Sequence, residues 1–307
     1  MTPARLALAY TLDLVAGDPE WFPHPVRFFG GLIRAGERLL GSFRGTPFRD
    51  TVSGAALTGA VVAIAWASGR TRTAATQVVL AWTTLATRCL LDEARSVVRA
   101  LEAGNLAVAR ARLRRIVGRD TAGLDESEIA RAVIETLAES ACDGIVAPLF
   151  WLSTGGLSAA MAYKAVNTLD SMIGHREPPY RHFGSVAARL DDAVNLVPAR
   201  LTALAVVAAA RLHGGEALRA WEVWRRDGAR HASPNAGQSE AAMAGALDVR
   251  LGGLNFYDRH PQDAPLLGAE GRPPTAGDAR AAMRIVATVS GLAFGAALLS
   301  VFWRRRG

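Results

Sequence analysis

Lysine is nearly absent from this chain. Of 35 basic residues, Lys164 is the single lysine and the rest are arginine. A GC-rich genome accounts for that scarcity. So does a site that needs a compact ammonium donating from one point, which a planar guanidinium does not supply; the sequence leaves both readings open. Cysteine is scarce too: Cys89 and Cys142 stand in apolar or helical surroundings without ligand spacing. That excludes a disulfide framework and a cysteine metal site, and both thiols are expected to be reduced and structural. There is no Walker A loop, GxGxxG, HExxH or CxxC, so any nucleotide site here is of an unusual kind. No run alternates as a half-buried strand does, and no repeat or low-complexity tract is present. The expected fold class is therefore all-α. No cleavable signal peptide is expected, because residues 4–16 carry Asp13 and Gly17-Asp18-Pro19 is not a small-residue cleavage site.

What the chain does have is apolar mass. Half of it is hydrophobic and 21% is charged, too greasy for an ordinary soluble enzyme and too charged for a bare transporter bundle. Residues 52–68 carry no charge and end at Gly69-Arg70. At ~1.5 Å per residue such a run just spans a hydrocarbon core. Residues 74–91 form a second run, with Arg88 near its end able to snorkel, and a short link predicts an antiparallel hairpin with the first. Residues 285–303 close on Phe302-Trp303 and three arginines, an aromatic and basic interface signature. Weaker segments are 4–16, 145–163 and 196–212; Pro148, Gly155-Gly156 and Pro198 make the last two short spans, broken segments or buried core helices. The net charge of +7 sits mostly on arginines flanking these runs. That placement fits a membrane and its lipids, and no nucleic acid is expected as a partner. The reading is one domain over 1–307: a multi-pass integral membrane helical protein with soluble helical loops.

Between about 92 and 140 the pattern turns soluble. Helices are predicted from Glu93 to Ala103, from Leu106 to Val117, and from Leu124 onward with acids in the first turn. Ile129, Val133, Ile134 and Leu137 follow helical spacing. Residues 255–282, rich in Pro, Gly and Asp, read as a long loop.

Short polar clusters interrupt the apolar runs. On a helix, Lys164, Asn167 and Asp170 form a stripe at i, i+3 and i+6 that runs into His175 and Arg176. A structural ion pair is one reading. Beside a membrane, where ionisable groups are costly, function is the stronger one. Arg189, Asp191, Asp192 and Asn195 offer hard oxygen ligands suited to Mg²⁺, or a helix start with acids in its first turn. Glu139 and Asp143 lie four apart on one face, a metal or base pair or a solvated helix face. His24 stands between two prolines three residues before Arg27, and His231-x-Ser233-Pro-Asn235 forms a second rigid loop; either binds a ligand or caps a helix.

Five strings carry a resemblance: DLVAGDPEWFPHPVRFFGGLI (13–33), ESACDGIVAPLFW (139–151), YKAVNTLDSMIGH (163–175), ARLDDAVNLVPARLT (188–202) and the HASPNAG-x-x-EAAMAGAL block (231–247). Together, and in this order, they resemble the CbiB family of cobalamin biosynthesis, also called CobD. The segments 35–138 and after 258 add little beyond length and hydropathy.

The resemblance implies an adenosylcobinamide-phosphate synthase in the inner membrane, its active-site loops cytoplasmic. It implies amide ligation of an aminopropanol phosphate to the free propionate of adenosylcobyric acid, a corrinoid substrate, with ATP and Mg²⁺ as cofactors. Other late corrinoid-pathway enzymes are implied partners. On this reading Asp143, Asp170, Asp191 and Asp192 hold Mg²⁺, and Lys164 and Arg189 stabilise phosphate. His24 or Glu139 takes a proton from the incoming ammonium. Arg27, Asn167, His175, Arg176, Asn195, His231, Ser233 and Asn235 bind substrate. The rival readings are a transporter of an anionic metabolite and a non-catalytic membrane scaffold for corrinoid enzymes.

Overall fold

The first three helices start the same way, on a capping side chain followed by proline. Thr2-Pro3, His24-Pro25 and Thr46-Pro47 each place an acceptor side chain over the first turn and a proline at its first position. The proline there gives up an N–H that no helix could use. In the computed structural model, which describes residues 1–19, 21–41, 46–175 and 177–304, the elements follow in chain order. They are α1 Pro3–Ala16, α2 Pro25–Leu40, α3 Pro47–Ser68, α4 Ala74–Trp82, α5 Thr87–Glu102, α6 Leu106–Leu113 and α7 Glu126–Ala141. A π-helical turn, Cys142–Val146, leads into α8 Ala147–Thr154, α9 Gly156–Ile173, α10 Tyr180–Phe183 and α11 Ser185–Leu212. Then come α12 Ala217–Asp227, α13 Ala236–Leu247, β1 Leu251–Tyr257, β2 His260–Leu267 and α14 Ala276–Trp303.

Four helical segments among the described residues are long and apolar enough to cross a membrane: Pro47–Ser68, Ala74–Glu102, Ser185–Leu212 and Ala276–Trp303. Less than half of each apolar window is buried inside the protein, which leaves an apolar surface suited to lipid. The second segment is not one continuous helix. It breaks between α4 and α5, where the hydroxyls of Thr83 and Thr84 donate to the carbonyls of Leu80 and Ala81 at 2.8 and 2.7 Å. The expected run 145–163 is also interrupted: it passes from the π-helical turn through α8 and restarts at Gly156, whose φ is 74°. The expected run 196–212 is the second part of α11, so the cluster at 188–195 lies on the same 28-residue helix. Residues 4–16 lie in α1, whose 14 residues are short for a span.

The chain divides into two units. The first comprises Met1–Ala86, Ala147–Asn195 and Phe294–Gly307. At its centre α9 packs against α2, α3, α4 and α8. Val166, Leu169 and Ile173 on α9 are buried, each a gain of about 1.5–3 kcal/mol over exposure. The helix α4 packs on α1 and α9 rather than along α3, so the expected hairpin of adjacent spans is not how this pair is used.

The second unit comprises Thr87–Val146 and Leu196–Ala293. Its core is α7 with α5, α6 and α13, and α12 packs on α13. Ile129, Val133, Ile134 and Leu137 are all buried on α7, as their spacing predicts. Asp125 and Glu128 close a capping box at its start, at 2.8 and 2.9 Å.

The expected loop at 255–282 is overturned in its first part. Residues 251–267 form an antiparallel hairpin, paired from Leu251↔Leu267 to Tyr257↔His260. Its two-residue turn, Asp258-Arg259, has φ of 48° and 66°, the left-handed pair that matches strand twist. The hairpin is the one sheet among the described residues, and the fold is otherwise helical.

Candidate functional site

The polar side chains of the first unit converge where α9 meets the start of α11. Lys164, Asn167 and Asp170 form a half-buried stripe on α9, bordered by buried Tyr163, Val166 and Leu169. The chain returns to begin α11 through Gly184, where a Cβ would stand 1.6 Å from the Ile173 carbonyl oxygen. Only a glycine lets the backbone pass that close to the end of α9. Gly184→Ala is therefore expected to destabilise the protein by ~1–3 kcal/mol or more, since the obstruction is backbone; a thermal melt in detergent measures it.

With α11 placed there, Tyr163 donates its hydroxyl to Asn195 Oδ1 at 2.9 Å, and Asn195 Nδ2 donates to Asp191 Oδ2 at 3.0 Å. Asn195 is buried, with 1% of its surface exposed. Asp192 lies close enough to Asp170 to act on its charge. Burial, then the Asp192 carboxylate, raises the Asp170 carboxyl above the ordinary carboxylate range, and His175 acts in the opposite direction. Two of the clusters seen in the sequence, 163–175 and 191–195, thus form one site. Arg189 and His175 are exposed at its border. Arg176 lies outside the described residues.

His24 and Arg27 lie at the start of α2. His24 Nδ1 accepts from the Val26 N–H at 3.2 Å, and its Nε2 lies 3.5 Å from Asp18 Oδ1. The ring caps the helix, one of the two uses its setting suggested. Arg27 is exposed one turn in.

The second unit holds the other clusters. Ser233 Oγ accepts from the N–H groups of Asn235 and Ala236, at 3.2 and 3.3 Å, and so caps α13. His231 Nδ1 accepts from the Ser233 N–H at 3.1 Å, and Arg200 donates to Asn235 Oδ1 at 3.2 Å. The loop is rigid because its own side chains satisfy it. Glu139 is exposed at the end of α7, and Asp143 is half-buried in the π-helical turn.

Sequence reasoning missed the acids behind Glu139. Glu135 and Glu240 are each 6% exposed. Glu135 binds Arg119 and lies 3.4 Å from Arg131. Glu240 lies on α13, which packs against α7. Burial first, then Glu135 and Glu139, push its carboxyl well above the ordinary range, opposed by Arg119. On α13 the available signal was one acid in an alanine-rich, otherwise uncharged helix; on α7 Glu135 stood among several other charged residues and was not marked out. Two cavities of about 490 and 600 Å³ border β1, and none of the residues expected to form a site lines them.

Among the described residues no group of three or more His, Cys, Asp or Glu side chains could hold a metal ion. Mg²⁺ in nucleotide sites is often held by one or two carboxylates together with phosphate oxygens and water. The Asp170–Asp192 pair fits that smaller requirement, because a cation beside it would relieve the repulsion that raises Asp170.

A family model described as CobD/Cbib protein matches residues 6–286. The cobalamin biosynthesis protein CobD of Citrobacter koseri is 42% identical over 304 residues, covering 95% of each chain. The CobD protein of Geobacter metallireducens is 44% identical over 294 residues, covering 92% of each. The cobalamin biosynthesis protein CbiB of Salmonella typhimurium is 41% identical over 307 residues, covering 95% of each. No solved structure matches the chain.

Proposed function

This chain belongs to the CobD/CbiB family, and on that premise we propose that it is the amide-forming synthase of cobalamin biosynthesis. It is a cobalamin biosynthesis enzyme with four segments able to span a membrane. The finer reading is ATP-dependent ligation of an aminopropanol phosphate to the free propionate of adenosylcobyric acid, giving adenosylcobinamide phosphate. The inner membrane, with the site loops on the cytoplasmic side, is the proposed location.

The observation that carries this reading is the pairing of Asp192 on α11 with Asp170 on α9, the helix that presents Lys164. A carboxylate does not accept an amine at neutral pH until its oxygen becomes a leaving group, and phosphorylation is the usual means. That step needs charge stabilisation around a transferring phosphoryl group. Asp170 and Asp192 would hold Mg²⁺, which when bound supplies neutralisation of phosphate charge. Lys164 adds a point charge to the phosphoryl oxygens, and exposed Arg189 and His175 meet the substrate's own phosphate. The Tyr163–Asn195–Asp191 chain of hydrogen bonds fixes the facing wall.

The test is mass spectrometry of the detergent-purified protein with adenosylcobyric acid, aminopropanol phosphate, ATP and Mg²⁺. The reading requires a product heavier by the aminopropanol phosphate less one water, formed only with ATP. No product from folded, lipid-restored protein would overturn it. Lys164→Arg in the same assay is expected to lower the rate about 100-fold, a loss of ~2.7 kcal/mol of transition-state stabilisation. Full activity would make the single lysine a compositional accident.

A further inference from the structure

Two guanidiniums of the second unit hold nothing. Among the described residues, the side chains of Arg114, just after α6, and Arg259, in the hairpin turn, make no hydrogen bond and no ion pair, and both residues are exposed. An arginine on a convex surface needs no partner beyond water. These two instead line one cavity of about 600 Å³, inside the range of roughly 300–1,000 Å³ that small-molecule sites occupy. None of the residues lining it belongs to a segment able to cross a membrane.

The rest of the wall is fixed by its own bonds. The Asp120 N–H donates to the Phe256 carbonyl at 2.8 Å, and Asp120 Oδ2 accepts from the Arg259 N–H at 2.8 Å. Arg110 donates to the Leu124 carbonyl at 2.8 Å, and the Thr121 hydroxyl donates to the Arg110 carbonyl at 3.2 Å. The segment between α6 and α7 is thereby tied to the hairpin on one side and to α6 on the other. Of the other charged groups in the wall, Arg119 is held by Glu135 and Asn255. Glu128 accepts from the Asp125 N–H in the capping box. The charge left unmatched is therefore positive. Beside it Leu254 and Phe256 share one face of β1 and are 49% and 42% exposed. That is apolar surface in a concave wall, where a ligand would remove it from water.

We infer that this cavity binds a phosphate group carried on an apolar body. A planar guanidinium matches phosphate in both shape and charge, and two of them stand ready without giving up another bond. Phe256 and Leu254 take the apolar part, the ring by stacking where that part is flat. Such a group has two sources, a soluble nucleotide and the headgroup of an anionic lipid. The inference is independent of the proposed ligation. Every residue lining the cavity lies in the second unit, and the Asp170–Asp192 pair lies in the first.

The test is a fluorescence titration of the full-length protein in detergent with naphthyl phosphate, without ATP or Mg²⁺. Wild-type protein should bind it saturably, and should bind naphthol or inorganic phosphate about tenfold more weakly or worse, the scale of one charged hydrogen bond. Arg114→Gln and Arg259→Gln should each weaken binding about tenfold, and together about 100-fold if their effects add. Both variants should melt as wild type does, because neither side chain is bonded in the fold. Phe256→Ala should weaken binding several-fold. Asp170→Asn should leave it unchanged, which separates this cavity from the site of the first unit. Competition then assigns the source: displacement by AMP points to a soluble nucleotide, and displacement by phosphatidic acid in nanodiscs to a lipid headgroup. The inference is overturned by a lack of saturable binding, by equal affinity for naphthol, or by displacement with neither competitor. It is overturned equally by a folded double variant that binds as wild type does, or by loss of binding in Asp170→Asn.

Discussion

Asp170→Asn is expected to lower amide formation by about 100- to 1,000-fold, the scale of losing one group that stabilises developing charge, while making the folded protein more stable at high pH. The two effects share a cause. Burial, then Asp192, raises the Asp170 carboxyl in the folded state, against a smaller opposing effect of His175. An acid whose folded value lies above its unfolded one contributes stability below the unfolded value. That contribution is lost as pH rises through the raised folded value, where the ionised form must be held against its surroundings. Asparagine has the same shape and no charge to hold. Melting temperatures of wild-type and variant protein, compared from acid to mildly alkaline pH, should therefore diverge in favour of Asp170→Asn as pH rises. Asp192→Asn should lower the same titration by removing the neighbouring charge, with activity falling on a similar scale. A variant with lost activity and a lower melting temperature at high pH would instead mark Asp170 as a structural acid. The combination expected here is that of a site kept at a cost in stability.

Much of this site was legible because its chemistry is local. Lys164, Asn167 and Asp170 share a helix face by spacing alone, and Asp191, Asp192 and Asn195 follow one another on α11. Their meeting was not legible. It depends on the close passage at Gly184 and on a hydrogen bond from Tyr163 to Asn195, both features of tertiary structure. Helix α7 was readable from its apolar period and its capping box. The break at 83–86 was not, because threonine and leucine read as one apolar run until their hydroxyls turn back on the helix. His24 and Ser233 show the limit of composition. Rigid, polar loops can bind ligands or end helices, and here both side chains accept backbone N–H groups. Glu240 was hidden for another reason: it is the single charged residue of α13 and follows Gln238 and Ser239 in a run of alanines.

The hairpin at 251–267 was the largest omission, and its chemistry explains why. Gly252 and Gly253 have φ of 81° and 92°, a register shift falls between Leu251 and Gly253, and Pro261 stands opposite Phe256. None of this alternates as a strand buried on one face does. Polar groups anchor it to α7 instead. Arg131 donates to the carbonyls of Gly252 and Leu254 at 2.6 and 3.1 Å, and Arg119 and Arg131 donate to Asn255 Oδ1 at 2.7 and 3.1 Å. Glu135 accepts from the Gly252 N–H at 2.8 Å and balances both guanidiniums.

Glu135→Ala is accordingly expected to lower stability by ~3–5 kcal/mol, the range for leaving a buried charge without its partner. Here two arginines lose that partner, with side-chain exposures of 11% for Arg119 and 10% for Arg131. Amide exchange should locate the damage: the paired amides of β1 and β2 should lose protection first, and those of α7 next. Glu135→Gln keeps an acceptor for Gly252 and gives up only the charge, so its loss should be smaller. Replacing Arg119, Arg131 and Glu135 together by leucine or methionine tests what the network is for. Apolar packing can equal a buried ion network in stability, but it cannot satisfy the carbonyls of Gly252 and Leu254. If the triple variant melts as wild type does yet exchanges the hairpin amides freely, the charges serve to fix the hairpin's register on α7. If it melts low as well, they also hold the unit together, and the hairpin is part of the fold's stability rather than an attachment to it.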